Sequence, residues 1–140
     1  MNIRLRLRGF REALRRTRNN PRELKRLQKR GLSRVAQIGI NMILARTADG
    51  VGFKDGAFRP YSPAYAAFKS SRGGITPNLF LSGNMLGAMT SKANHRRAVI
   101  FFSRAKESKK AAFNNKTRPF FGFSRDEERQ LLRHLDRFIR

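Results

Sequence analysis

The sequence predicts an α+β domain in which a small antiparallel sheet packs against a long N-terminal helix and a C-terminal helix, with extended loops between them. Three observations predict it. Apolar residues recur at spacings of three and four from Leu24 to Ala45, the period of a helix face. Ala98-Val99-Ile100-Phe101-Phe102 is a run of β-branched and aromatic residues, as strands prefer. Ser124-Arg125-Asp126-Glu127 opens a second helix with a capping box. At 140 residues the chain suits one domain, read as residues 20–140 behind a basic arm at 1–19.

In the arm, Ile3, Leu5 and Leu7 alternate with Arg4, Arg6 and Arg8. That period of two fits a strand with one apolar and one cationic face, and equally an arm that orders on a partner. Asn20-Pro21-Arg22-Glu23 is a helix start: Asn20 caps, Pro21 suits the first turn and Glu23 completes a capping box. Leu24, Leu27, Gly31, Val35, Ile38, Met42 and Ala45 form its apolar stripe, with Gly31 and Gly39 permitting close packing, and Asp49-Gly50 ends it.

Residues 50–60, with three glycines and Pro60, read as a loop. Between Tyr61 and Thr90 the chain carries two charges, Lys69 and Arg72, although charged residues are 29% of the whole. So weakly charged an island builds core or faces a partner. Ser62-Pro63 starts a short helix in it, and Ser70-Ser71-Arg72-Gly73-Gly74 is a loop. Tyr65, Phe68, Leu79, Leu81 and Leu86 are its expected core anchors. Residues 85–89 form a helical turn or the first strand of a hairpin, which turns at Ala93-Asn94-His95 and returns along 98–102. Phe101 and Phe102 then point to opposite faces. Residues 104–115 form a basic helix capped by Ser103 and stopped by Arg118-Pro119. The last helix buries Leu131, Leu135 and Phe138, with Leu132 and Ile139 beside them.

Composition limits the function. There are 32 Lys plus Arg against 9 Asp plus Glu, a net charge of +23. Residues 1–34 hold 13 basic and 2 acidic side chains, and residues 91–118 hold 9 and 1. Such a charge calls for a polyanion or an acidic protein surface as partner. There is no cysteine, so disulfides and thiolate metal sites are excluded, and the two histidines, His95 and His134, make no cluster. No apolar run is long enough to span a membrane. Ser82-Gly83 lacks a nucleophile pattern, Gly73-Gly74 lacks the Lys of a phosphate loop, and Asp126, Glu127 and Glu128 suit a helix N-terminus better than catalysis. No catalytic residue, cofactor or metal is expected. Arg4, Arg6, Arg8, Arg11, Arg15, Arg16 and Arg18 could contact phosphates or carboxylates. No sequence-specific DNA- or RNA-binding motif accompanies them.

The order of motifs resembles a known family. Tyr61-Ser62-Pro63-Ala64-Tyr65 with Lys69 comes first, then Leu79-x-Leu81-Ser82-Gly83-x-x-Leu86 and a hairpin. Last comes Arg118-Pro119-Phe120-Phe121-Gly122-Phe123-Ser124, running into a capped acidic helix. Over residues 20–140 this is similar to the tailed-phage virion morphogenesis, or tail completion, family, related to neck and head–tail joining proteins. The chain lacks the tryptophan common in the family's loop, where Phe58 or Tyr61 stands instead.

The resemblance implies a non-enzymatic virion protein of the neck or tail, made in the host cytoplasm. It would form a ring, of six copies or else twelve, through which DNA passes. Its partners would be copies of itself, portal or connector proteins, tail proteins and the DNA backbone, with no membrane. Ser70, Ser71, Arg72, Gly73 and Gly74 are the expected subunit-contact loop. Arg118, Pro119, Phe120, Gly122 and Ser124 carry the family motif. In it, Gly122 is expected to allow a turn closed to other residues, and Phe120, Phe121 and Phe123 to lock the last helix onto the sheet. The alternative is a basic module that binds nucleic acid without sequence preference. A phosphate-handling enzyme is disfavoured by the lack of a clustered acidic metal site.

Overall fold

A computed structural model describes residues 1–6, 15, 20–54, 56–74 and 76–139. Arg8, Arg11, Arg16 and Arg18 of the arm, Leu7, and the side chain of Ile139 lie outside the described residues. The elements are β1 (Asn2–Arg6), α1 (Pro21–Ala48), α2 (Pro63–Gly73), α3 (Asn84–Gly87), β2 (Met89–Ala93), β3 (Arg97–Phe102), α4 (Ala105–Thr117) and α5 (Arg125–Ile139). Among the described residues the strands form an antiparallel sheet in the order β1-β3-β2. This is the predicted α+β architecture, a three-stranded sheet against a long helix and a terminal helix.

The start of the basic arm is therefore an edge strand of the sheet. Ile3 pairs with Ile100 and Leu5 with Ala98, so the apolar half of the alternation turns toward the core. Ile3 and Leu5 are half-buried against it, while Arg4 and Arg6 are exposed on the other face.

α1 begins with the expected Asn20 cap, whose Oδ1 accepts from the Glu23 backbone N at 3.1 Å. The expected capping box is only half made, because Glu23 Oε2 accepts from the Asn20 side-chain Nδ2 at 3.3 Å and not from its backbone N. The helix packs on α5 along one stripe and on the sheet along another. The predicted stripe is the first. Val35 is buried with Leu131 and Leu135, and Leu24, Leu27, Ile38, Met42 and Phe138 close around them. Ala45, at its end, is exposed. The second stripe, Leu32, Ala36, Ile40 and Ile43, meets Ala98, Ile100 and Phe102 of β3. Each of these large side chains contributes roughly 1.5–3 kcal/mol by leaving water. The two glycines act as expected. A Cβ on Gly31 would lie 3.2 Å from Leu135 Cδ1 and Phe138 Cδ1, and one on Gly39 would lie 2.7 Å from Phe123 Cζ.

Several local expectations change. Ser70, Ser71, Arg72 and Gly73 are the last turn of α2 rather than a loop, and only Gly74, at φ 87°, leaves the helix. The hydroxyls of Ser70 and Ser71 donate back to the carbonyls of Ala67 and Phe68, so both side chains are satisfied within the helix. Phe68 and Leu81 are 43% and 44% exposed and do not anchor the core, whereas Leu86 does. Residues 84–89 are both things foreseen, a helical turn and then the start of β2. Asn94 closes the hairpin: its N donates to the Arg97 carbonyl, and its Oδ1 accepts from Arg96 N and Arg97 N. Phe102 is buried and Phe101 half-exposed on the opposite face. α4 starts after Arg104, which is its cap residue and makes no side-chain cap bond, and not at a Ser103 cap. Ser103 N instead donates to the Ala88 carbonyl, continuing the β2–β3 end. Leu132 is 58% exposed, at the edge of the stripe that Leu131 and Leu135 bury.

Candidate functional site

The third family-like motif lies more than thirty residues beyond the first two in sequence, and the fold brings all three to one place. Tyr61 is the meeting point. Its hydroxyl accepts from Leu79 N at 3.1 Å and from Lys69 Nζ at 3.2 Å. Lys69 Nζ and the Arg118 guanidinium carbon each lie 4.7 Å from its ring centroid, within cation–π range. Arg118 also donates to the carbonyls of Arg59 and Pro60, at 2.8 and 3.0 Å.

Lys69 is 1% exposed. A buried ammonium is costly unless its hydrogens are matched. It donates to Tyr61 Oη, the Thr76 carbonyl and Asn78 Oδ1, the last at 2.5 Å. Asn78 Oδ1 accepts Phe80 N as well, so the same network folds the segment leading to Leu81. No carboxylate among the described residues forms an ion pair with Lys69.

The Arg118–Ser124 motif is a structural joint. Arg118 is extended, at φ −131° and ψ 87°, as a residue before proline must be. Asn115 Oδ1 accepts from Phe120 N and Phe121 N at 3.0 and 2.9 Å, which holds the chain as it leaves α4. The rings of Phe120 and Phe121 enter the main core against Phe102. Phe123 packs between the two core clusters. Ser124 and Glu127 exchange both bonds of a capping box. Gly122 has no positive φ, so its role is not the turn expected of it. A Cβ there would lie 2.4 Å from Phe53 Cζ, so a larger residue would have to displace the half-buried Phe53 ring that rests on this backbone.

Above this joint lies a recess of about 590 Å³. Tyr61 and Tyr65 come to it from the first motif, Leu81 and Ser82 from the second, and Arg118 from the third. α4 adds Lys110, Phe113 and Asn114. Phe113 is 72% exposed and Leu81 stands exposed beside the recess, so an apolar rim faces solvent. Of the expected subunit-contact residues, Ser70, Ser71, Arg72 and Gly74 are exposed and do not line it.

Of the predicted arm residues, Arg4 and Arg6 are on the outer sheet face and Arg15 is exposed. The fold adds cations that the sequence reading did not group with them: Lys92, Arg96 and Arg97, from β2, the hairpin turn and β3. Their only sequence signal was the charge of residues 91–118. Among the described residues no group of three or more His, Cys, Asp or Glu is placed to hold a metal ion, and no helix is long and apolar enough to cross a membrane. No family model, curated protein or solved structure matches this chain.

Proposed function

We propose that this chain is a structural subunit of a tailed-phage particle, of the tail-completion or neck kind, which joins head to tail as a ring around the DNA path. One observation supports the reading most: the three motif segments that carry the resemblance converge on a single recess with an exposed apolar rim. A subunit that closes a ring needs such a surface, apolar at its centre and able to receive a neighbour. The recess would take the adjacent copy, and the chain would act by binding rather than by chemistry. The ring would hold six copies or twelve, between portal or connector and tail proteins. The chain would be found in the neck or tail of the virion and, during assembly, in the host cytoplasm.

Reconstruction of the neck in purified particles tests this. The expected result is a ring of this chain, with Leu81 and Phe113 at the contact between copies. Particles whose neck and tail lack the chain would end the proposal. The alternative, a nucleic-acid-binding module that forms no ring, is supported by the cations gathered on the outer sheet face. Salt-sensitive DNA binding by the purified chain, with no ring in solution or in particles, would select it.

A further inference from the structure

Arg6 and Arg97 are register partners at the end of the β1–β3 ladder, so two cations stand directly opposite each other. Like charges in that position destabilise a sheet. Both residues are exposed, and neither belongs to an ion pair among the described residues. One step along the same face, Arg4 and Lys92 flank Val99 from the two neighbouring strands. Arg96 is held at the hairpin turn by the bond from its backbone N to Asn94 Oδ1, at 2.8 Å. Arg6, Asn94, Arg96 and Arg97 line a recess of about 400 Å³. Five cations thus share one surface, and the three strands with their hairpin turn contain no Asp or Glu. The helices pack on the other face, that of Ala98, Ile100 and Phe102.

We propose that this sheet face binds the phosphate backbone of duplex DNA, with the Arg6/Arg96/Arg97 recess as its main phosphate subsite. An anion seated between Arg6 and Arg97 removes the repulsion that the register imposes. Residues two apart on a strand are roughly 6.6 Å apart, and neighbouring strands are about 4.8 Å apart. Long arginine side chains on that grid can reach several phosphates at once. Single-stranded binding uses successive exposed aromatic rings. Here Phe101 is half-buried, and Lys92 Nζ lies 5.7 Å from its ring centroid, so the face offers charge instead of a stacking platform. An acidic protein would need an apolar anchor at the centre of its contact, and the large apolar residues that this face places between its cations, Val99 and Phe101, are both half-buried. Contacts of this type position DNA without reading its sequence.

The inference sharpens the DNA contact of the proposed function and holds for ring or free module alike. Its test uses the isolated full chain, so its failure and that of the ring reading are separate results. Affinity for a labelled duplex of mixed sequence is measured across a salt series. For Arg6→Ala/Arg97→Ala, the slope of log affinity against log salt should fall by about 2, one per lost phosphate contact. Lys106→Ala/Lys109→Ala, which removes the same charge from exposed positions on α4, should change it far less. Without DNA, the sheet variant should melt at or above the wild-type temperature, because the opposed charges are gone; this shows that its lost binding is not unfolding. Three outcomes would overturn the proposal: equal losses in the two variants, displacement of the duplex by polyglutamate as readily as by unlabelled duplex, or tighter binding of a single strand of the same length.

Discussion

The Arg46 guanidinium, near the end of α1, is paired with the Glu127 carboxylate in the first turn of α5. The same guanidinium donates to the carbonyls of Phe120 and Gly122, at 2.7 and 3.0 Å. Glu127, for its part, closes the capping box with Ser124. One side chain thus ties the long helix, the phenylalanine-rich turn and the terminal helix together. The pair is 11% and 16% exposed. Breaking such a pair leaves a poorly solvated charge behind.

Arg46→Ala is accordingly expected to lower stability by about 3 kcal/mol, near the lower end for a broken buried pair. Arg46→Lys should recover little of it, since an ammonium cannot span the carboxylate and two carbonyls in the guanidinium's planar fork. Urea unfolding of the three proteins measures both. A loss below that of an ordinary surface substitution would mean the joint does not depend on Arg46.

Lys69→Met keeps the length of the side chain and removes its three hydrogen bonds. The acceptors on half-buried Tyr61 and Asn78, and the carbonyl of exposed Thr76, would each lose the charged donor. The expected cost is roughly 2 kcal/mol. Amide hydrogen exchange should rise first in residues 76–81, which the network folds, while β3 stays protected. Uniform exchange across the chain would argue against a local role.

Gly122→Ala should destabilise by about 1–3 kcal/mol, because the new methyl overlaps the Phe53 ring. Shortening that ring is the check. In a Phe53→Ala background, the added cost of Gly122→Ala should largely vanish. A double-mutant cycle with no coupling would instead point to the backbone as the reason for glycine.

Ile3→Ala should cost about 1–2 kcal/mol, less than at a fully buried site. Arg4→Ala, its neighbour on the outer face, should change stability by less than about 0.5 kcal/mol. Thermal melts of the two variants test whether β1 is part of the folded domain. Equal, negligible effects would make it an appendage.

Leu81→Asp with Phe113→Asp places charge on the exposed rim of the recess. Melting temperature should hold, since both side chains face solvent. Incorporation of the chain into particles should be lost. Wild-type incorporation would remove this rim from the subunit contact.

Much of the fold is legible in the sequence, and the residues show why. The caps at Asn20 and Ser124 join residues three apart, so composition and spacing specify them together. The alternation of Ile3 and Leu5 with arginine was also visible. It left strand and partner-bound arm equally open, because its pairing partner lies near residue 100. α1 shows the same boundary. Its spacing revealed the stripe toward α5 but not the Leu32–Ile43 stripe toward the sheet, since a helix buried on two sides blurs its own period. Ser70–Gly74 resembled a loop because serine and glycine are weak helix formers, yet the turn stays helical to Gly73.

Taken alone, the sequence determined the fold class, the capped starts of α1 and α5, the hairpin and the excess of positive charge. These depend on neighbours within a few positions, or on composition. Only the tertiary structure decided that Tyr61, Lys69 and Arg118 stack together, that the Phe53 ring lies over Gly122, and that Arg6 stands opposite Arg97. Each of those is a contact between distant segments. It exists only once strand register and helix packing are chosen, and both are chosen by burying the apolar faces of all the elements at once.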